Sequence, residues 1–257
     1  TICVAVLLFI YAPILLLVVY SFTDSNVIGK WDGFSFDLYV QLFRDAEIMQ
    51  ILFNTIWLAL AAALLSTVLG TAGAIGIFYS KRKFAKPLQA VSQIPVINAE
   101  IVTAISLALL FSAVFLYRTY LSLIVGHMVL CIPFVVLSVM PKLKQMDPNI
   151  YEAALDLGAS PSAALFKVVI PQIFSGIVSG FMLSITLSLD DYIVTAFTKP
   201  RMFDTISTYV YNAVKNGTNS STPALRALSA LIFIVMIAVL LAINLRARRP
   251  AAKKEAA

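Results

Sequence analysis

Apolar residues fall in six long blocks separated by short polar stretches, and none of the blocks alternates with the period of two expected of a membrane-barrel strand. The blocks run roughly from Ile2 to Tyr20, Ile51 to Tyr79, Leu88 to Ser112, Leu121 to Met140, Phe174 to Phe197 and Leu225 to Leu245. A spanning helix needs about 20 predominantly apolar residues, and a helix satisfies its own backbone hydrogen bonds in hydrocarbon. The pattern predicts an all-α membrane protein, one transmembrane domain over residues 1–257 with six spanning helices.

The sharpest interruption is a polar, helix-forming island at 147–171. Asp147-Pro148 and Ser160-Pro161 each put a capping side chain before a proline at a first helical position, and Gly158 stands where a first short helix should stop. Two short helices separated by a glycine turn are therefore expected. Glu152 and Asp156 share one face of the first, and Ile150, Ala153, Ala154 and Leu157 form the other. Such a knob suits a groove on another protein.

Composition sharpens the membrane reading. With 60% hydrophobic and 12% charged residues and a mean hydropathy of +0.92, the chain has too little polar surface to cover a soluble domain. The basic residues orient it, because cytoplasmic loops carry the excess of Lys and Arg. Lys81, Arg82, Lys83, Lys86, Lys142, Lys144, Lys167, Arg246, Arg248, Arg249, Lys253 and Lys254 fall on one side, against Lys30, Arg44, Arg118, Lys199, Arg201, Lys215 and Arg226 on or near the other. With six spans, both termini and the island lie in the cytoplasm. The net charge of +6 is mostly this asymmetry plus the tail, and it predicts no nucleic-acid partner. Thr1 opens directly into apolar residues without a basic leader, which fits a missing short cytoplasmic head better than a cleaved signal peptide.

Between the first two spans, Trp31, Phe34, Phe36 and Tyr39 lie among acids, as in an amphipathic segment at the membrane interface. Gly70, Gly73 and Gly76 in the second span, and Gly176 and Gly180 in the fifth, predict seams of close helix approach. Pro95 and Pro133 favour kinks within the third and fourth spans. The glycosylation tripeptides at Asn216 and Asn219 arise readily by chance in so polar a loop. Cys3 and Cys131 lack metal-ligand spacing and read as small apolar fillers.

Three carboxylates fall within spans: Glu100, Asp190 and Asp191. Each costs at least a few kcal/mol near the centre of a span, so such acids face a cavity or a partner. No Lys or Arg lies inside the six apolar cores to neutralise them, unless Lys199 or Arg201 folds back at the outer rim. Successive helical side chains point about 100° apart, so Asp190 and Asp191 cannot face the same way. One can face a pore while the other bonds a neighbouring helix. A path lined by uncompensated acids repels anions and suits a cationic substrate. Trp57, Tyr192 and Phe197 are candidate aromatic walls, since ring faces attract ammonium groups, although packing is an equal reading for them. His127, the single histidine, reads as a hydrogen-bonded structural group before a proton relay. There is no GxxxxGK[ST], HExxH, GxSxG or CxxC signature, so the chain is expected to be no enzyme and to hold no metal or cofactor of its own. Energy from a nucleotide must come from another subunit.

The island spells Glu152-Ala153-Ala154, three residues, Gly158, nine residues, then Val168-Val169-Ile170-Pro171. This resembles the EAA loop of ABC importer permeases in complete spacing, with Val168 and Ile170 as aliphatic departures. Within that superfamily the chain resembles the spermidine/putrescine permeases of PotC type over almost its whole length, on the stretches 184–191, 100–107, 131–136 and 153–160. The resemblance implies a type I importer fold in a bacterial cytoplasmic membrane. It also implies alternating access, and a coupling role for Glu152, Ala153, Ala154, Gly158 and Pro171. The implied partners are a PotB-like second permease, two copies of a PotA-like ATPase that bind MgATP, and an extracytoplasmic polyamine-binding protein. The family carries acids at the positions of Glu100, Asp190 and Asp191. An importer of another solute and an ion-driven carrier remain alternatives at this point.

Overall fold

The computed structural model describes residues 2–23, 31, 33–147, 149–216, 226–234 and 237. Its residues group into two units, one formed by Thr1–Gln50 with Val210–Ala257 and the other by Ile51–Tyr209. All regular structure among the described residues is helical, apart from one isolated bridge between Thr23 and Phe34.

In the first unit, α1 (Ile2–Tyr20) is followed by α2 (Asp37–Arg44), which buries Leu38 and Leu42 and turns its polar residues outward. The hydroxyls of Ser21 and Tyr39 meet at 2.7 Å, and the rings of Phe22, Phe34, Phe36 and Tyr39 pack with centroids 5.1 to 6.3 Å apart. The interfacial segment is thus a short amphipathic helix closed by an aromatic cluster. Residues 226–234 are helical, and the rest of the predicted last span lies outside the described residues, as do the side chain of Cys3 and most of the tripeptide loop.

In the second unit, α3 (Ala46–Tyr79) enters from Ile51 onward and is followed by α4 (Arg82–Ser92), α5 (Ile94–Ile97), α6 (Glu100–Ala113) and α7 (Tyr120–Gln145). Next come α8 (Asn149–Asp156), α9 (Pro161–Ala164), a π turn (Leu165–Val169), α10 (Ile170–Asp190), α11 (Ile193–Thr198) and the first residues of α12 (Ile206–Asn216). Among the described residues, three continuous helices are long and apolar enough to cross a membrane, Ala46–Tyr79, Tyr120–Gln145 and Pro161–Asp190. A fourth crossing arises if Arg82–Ile97 and Glu100–Ala113, bent by 104°, count as one broken span.

α7 is the spine of this unit. Val135, Val136, Val139, Met140 and Leu143 are buried along it and pack with Ala74 and Ile77 of α3, Val169 of the π turn and Ile173 of α10. A Cβ on Gly70 would lie 2.7 Å from Cβ of Val135, one on Gly180 3.2 Å from Cα of Val135, and one on Gly176 2.8 Å from Cγ of Lys142. These three glycines form the expected seam. Gly73 and Gly76 do not, since nothing lies within 4 Å of a Cβ at either position. Gly70→Leu is expected to lower the melting temperature of the purified protein by several degrees, in line with the about 1–3 kcal/mol cost of overpacking, while Gly73→Leu leaves it unchanged. A fluorescence melt of the two variants checks this.

Two predicted continuous spans are broken. The third does not kink at Pro95, which sits in the first turn of α5, but turns at Asn98 and Ala99, both in extended backbone. Asn98 donates its amide to Thr103 Oγ1 at 3.2 Å, a local bond that competes with helix continuation. The fifth stops at Asp190 because Asp191 is extended and its carboxylate accepts the N–H groups of Val194 at 3.1 Å and Thr195 at 2.7 Å, starting α11. α7, in contrast, runs through Pro133 and Pro141 as one helix.

The island folds only partly as two short helices. Asp147 Oδ1 accepts the N–H of Asn149, and Ser160 Oγ accepts the N–H of Ala163. Gly158, at φ +86°, closes α8 with a paired C-terminal motif: its own N–H donates to Leu155 O and that of Ala159 to Ala154 O. α9, however, is no separate helix, because it continues through the π turn into α10. The expected faces also change. Tyr151 and Leu165 pack on the spine and Tyr151 lies 5.1 Å from the Tyr79 ring, whereas Leu157 is 90% exposed beside Glu152, Ala153 and Asp156.

Candidate functional site

The two broken helices face one cleft of about 560 Å³. One wall carries Val96, Asn98, Glu100 and Thr103 from the α5–α6 break, Leu130 and Phe134 of α7 form another, and the α10–α11 break supplies Asp190, Asp191 and Tyr192. Among the described residues, the lining holds three carboxylates and no basic residue. Lys199 does not fold back onto them, since its ammonium pairs with Asp204.

The three acids differ in what surrounds them. Asp191 is 5% exposed and both its oxygens accept hydrogen bonds from α11, with a third from the hydroxyl of Thr195 at 2.7 Å. Glu100 occupies the first turn of α6, where the positive end of the helix favours an acid, and it lines the cleft together with Asp190 and Asp191. Asp190 is exposed to the cleft as the last residue of α10. There the negative end of the helix opposes its charge, and among the described residues no hydrogen bond or ion pair engages its carboxylate. Carboxyl groups gathered in this way repel one another unless a proton or a cation lies between them. Chemically, such a lining suits positive charge, and the apolar faces of Leu130, Phe134 and Leu187 can cover methylene groups beside it.

Tyr192 lines the cleft, as do the three acids. Trp57 does not: it is 42% exposed on α3 and absent from the lining. Phe197 is half-buried on α11 and also lies outside the lining. Of the residues expected to couple to an ATPase, Glu152 and Ala153 are exposed within α8 and Gly158 just beyond its end, Ala154 is half-buried and Pro171 is in the first turn of α10. His127 is fully buried, with Nδ1 2.8 Å from Ser188 Oγ and Nε2 2.9 Å from Thr195 Oγ1. Cys131 is buried against Ser184 O. Asn98 and Thr103 escaped sequence reasoning, although an Asn two residues before an acid in an apolar run is a visible helix-start signal.

The architecture is that of the membrane subunits of ABC importers. The chain superposes with a TM-score of 0.71 on a chain of a bacterial ABC transporter involved in the import of the acidic polysaccharide alginate, at 16% identity, covering 96% of this chain and 95% of that one. A chain of the MetNI methionine ABC transporter in an inward-facing form gives a TM-score of 0.58 at 19% identity, covering 78% of this chain and 95% of that one. Residues 66–249 match the family model described as Binding-protein-dependent transport system inner membrane component, and the chain belongs to that family. It is similar to the spermidine/putrescine transport system permease protein PotC of Haemophilus influenzae, 30% identical over 94% of this chain and 93% of the relative. The putrescine transport system permease protein PotI of Escherichia coli K12 is 34% identical over 87% of this chain and 81% of its own length, and PotC of the same strain is 31% identical over 95% and 91%.

Proposed function

We propose that this chain is a permease subunit of an ATP-driven importer that carries polyamines such as spermidine and putrescine into the cytoplasm. The observation that carries this reading is the cleft that Glu100, Asp190 and Asp191 line together, with no fixed cation among its described lining residues. The fold alone does not select a cargo, since an alginate importer shares it. The acids, and relatives whose names specify spermidine and putrescine, favour a linear polycation.

In this reading residues 1–257 form one transmembrane domain of six spans in the bacterial cytoplasmic membrane, with both termini and the 147–171 loop inside. A second, PotB-like permease completes the pathway, an extracytoplasmic polyamine-binding protein delivers cargo, and two PotA-like subunits bind and hydrolyse MgATP. Closure of the ATPases moves the groove that holds α8, and the exposed Glu152, Ala153 and Gly158 pass that movement to the spans, opening the cleft to one side and then the other. In the cleft the acids replace part of the water around the ammonium groups, Asp190 foremost, and Tyr192 closes one wall. Release requires that these contacts stay weak.

The test is uptake by proteoliposomes that hold the copurified complex. Radiolabelled spermidine enters only with ATP and binding protein, and Glu100→Gln lowers uptake with assembly intact. Uptake that continues without ATP, or sulfate carried in preference to spermidine, overturns the reading.

A further inference from the structure

The buried His127 lies behind the cleft and reaches both sides of the break that carries its acids. Ser188 belongs to α10 and Thr195 to α11, and the imidazole bridges them with one nitrogen on each. Gly126 makes this reach possible, because a Cβ there would lie 2.9 Å from Val194 Cγ1 and hold α7 away from α11.

One arrangement of protons satisfies every group. Ser188 donates to Nδ1, Nε2–H donates to Thr195 Oγ1, and the Thr195 hydroxyl donates to Asp191 Oδ2 at 2.7 Å. A carboxylate has about four acceptor positions. The N–H groups of Val194 and Thr195 with the Thr195 hydroxyl take three of those on Asp191, which leaves one on Oδ1 of a residue that lines the cleft. Without the imidazole, the Thr195 hydroxyl can turn to its other acceptor, the Asp191 carbonyl at 3.3 Å, and Asp191 then presents a different set of free positions to the cleft.

We infer that His127 is a positioning residue for cargo recognition: acting through Thr195, and with its own Nε2 3.5 Å from Asp191 Oδ2, it fixes how Asp191 faces the bound cation. The inference rests on the polyamine reading above. His127 is not among the described residues that line the cleft, so it acts on cargo through the residues it holds, Asp191 foremost.

The experiment is spermidine uptake by proteoliposomes holding the full complex, with the half-saturating concentration and the maximal rate measured separately. His127→Leu raises half-saturation by about tenfold, as expected for one hydrogen bond to a charged group, with the maximal rate per assembled complex kept within about twofold. His127→Gln, whose amide reaches the Nε2 position, restores half-saturation, and His127→Asn, which reaches only the Nδ1 position, does not. In an Asp191→Asn background His127→Leu adds nothing further. Unchanged half-saturation in His127→Leu, a loss confined to assembly or maximal rate, or an additive effect in the double variant overturns the inference. Where His127→Leu does not assemble, equal half-saturation in the Gln and Asn variants overturns it. A wild-type complex that imports no spermidine overturns the polyamine reading itself, a result distinct from each of these.

Discussion

Asp190→Lys is expected to abolish polyamine uptake while the complex still assembles. Asp190 stands at the end of α10 in contact with the cleft, and nothing among the described residues neutralises it. A lysine there occupies the position a cargo ammonium would take and repels what remains. At a separation of about 4 Å and an effective dielectric of about 20, two like charges cost ~4 kcal/mol, which corresponds to about a thousandfold loss of binding. Asp190→Asn removes the attraction without adding repulsion, so it should fall between the wild type and the lysine variant. Spermidine uptake per copurified complex measures both. Wild-type uptake by Asp190→Lys would show that the cargo passes elsewhere.

Glu152→Lys is expected to separate ATP hydrolysis from transport. Glu152 is exposed on α8, which Tyr151 holds against Tyr79 from an adjacent face and whose end is fixed by Gly158, so the substitution leaves the helix itself in place. Reversing a charge in a docked interface costs about 2–5 kcal/mol, enough to reduce productive contact by more than tenfold. The complex should then hydrolyse ATP at a rate that cargo-loaded binding protein no longer stimulates, with uptake falling in parallel. ATPase and uptake assays on one preparation decide it, and stimulation equal to that of the wild type would remove α8 from the coupling role.

The parts legible in the sequence were those with strong local chemistry. Gly158 and Ser160 announced a helix stop and a cap, and both perform those tasks. The apolar blocks announced spans, because twenty oily residues admit few other fates. The breaks were harder to read. Asp191 sits in a run whose periodicity is fully helical, and its cap is made with N–H groups three and four residues on, which any sequence supplies. Pro95 looked like the hinge, but proline in a first helical turn is accommodated, and the turn fell to Asn98 instead. Tertiary packing decided the rest. Gly70 and Gly76 are alike in sequence, yet only the first meets α7, and Leu157 points away from the spine although its spacing suggested the inner face. The three acids were found by their cost in lipid. Their gathering in one cleft follows from two breaks that only the folded chain reveals.

The widened turn at Leu165–Val169 winds one surplus residue into the helix that joins the 147–171 loop to its span. Such a turn advances less than about 100° per residue, so it absorbs the surplus locally and keeps the helix before it in phase with the helix after it. The aim of the loop and the seating of the span are thereby held in one fixed relation, as by a splice in a shaft. Excising one residue there would close the turn to an ordinary helical one and leave the glycine seam of α10 undisturbed.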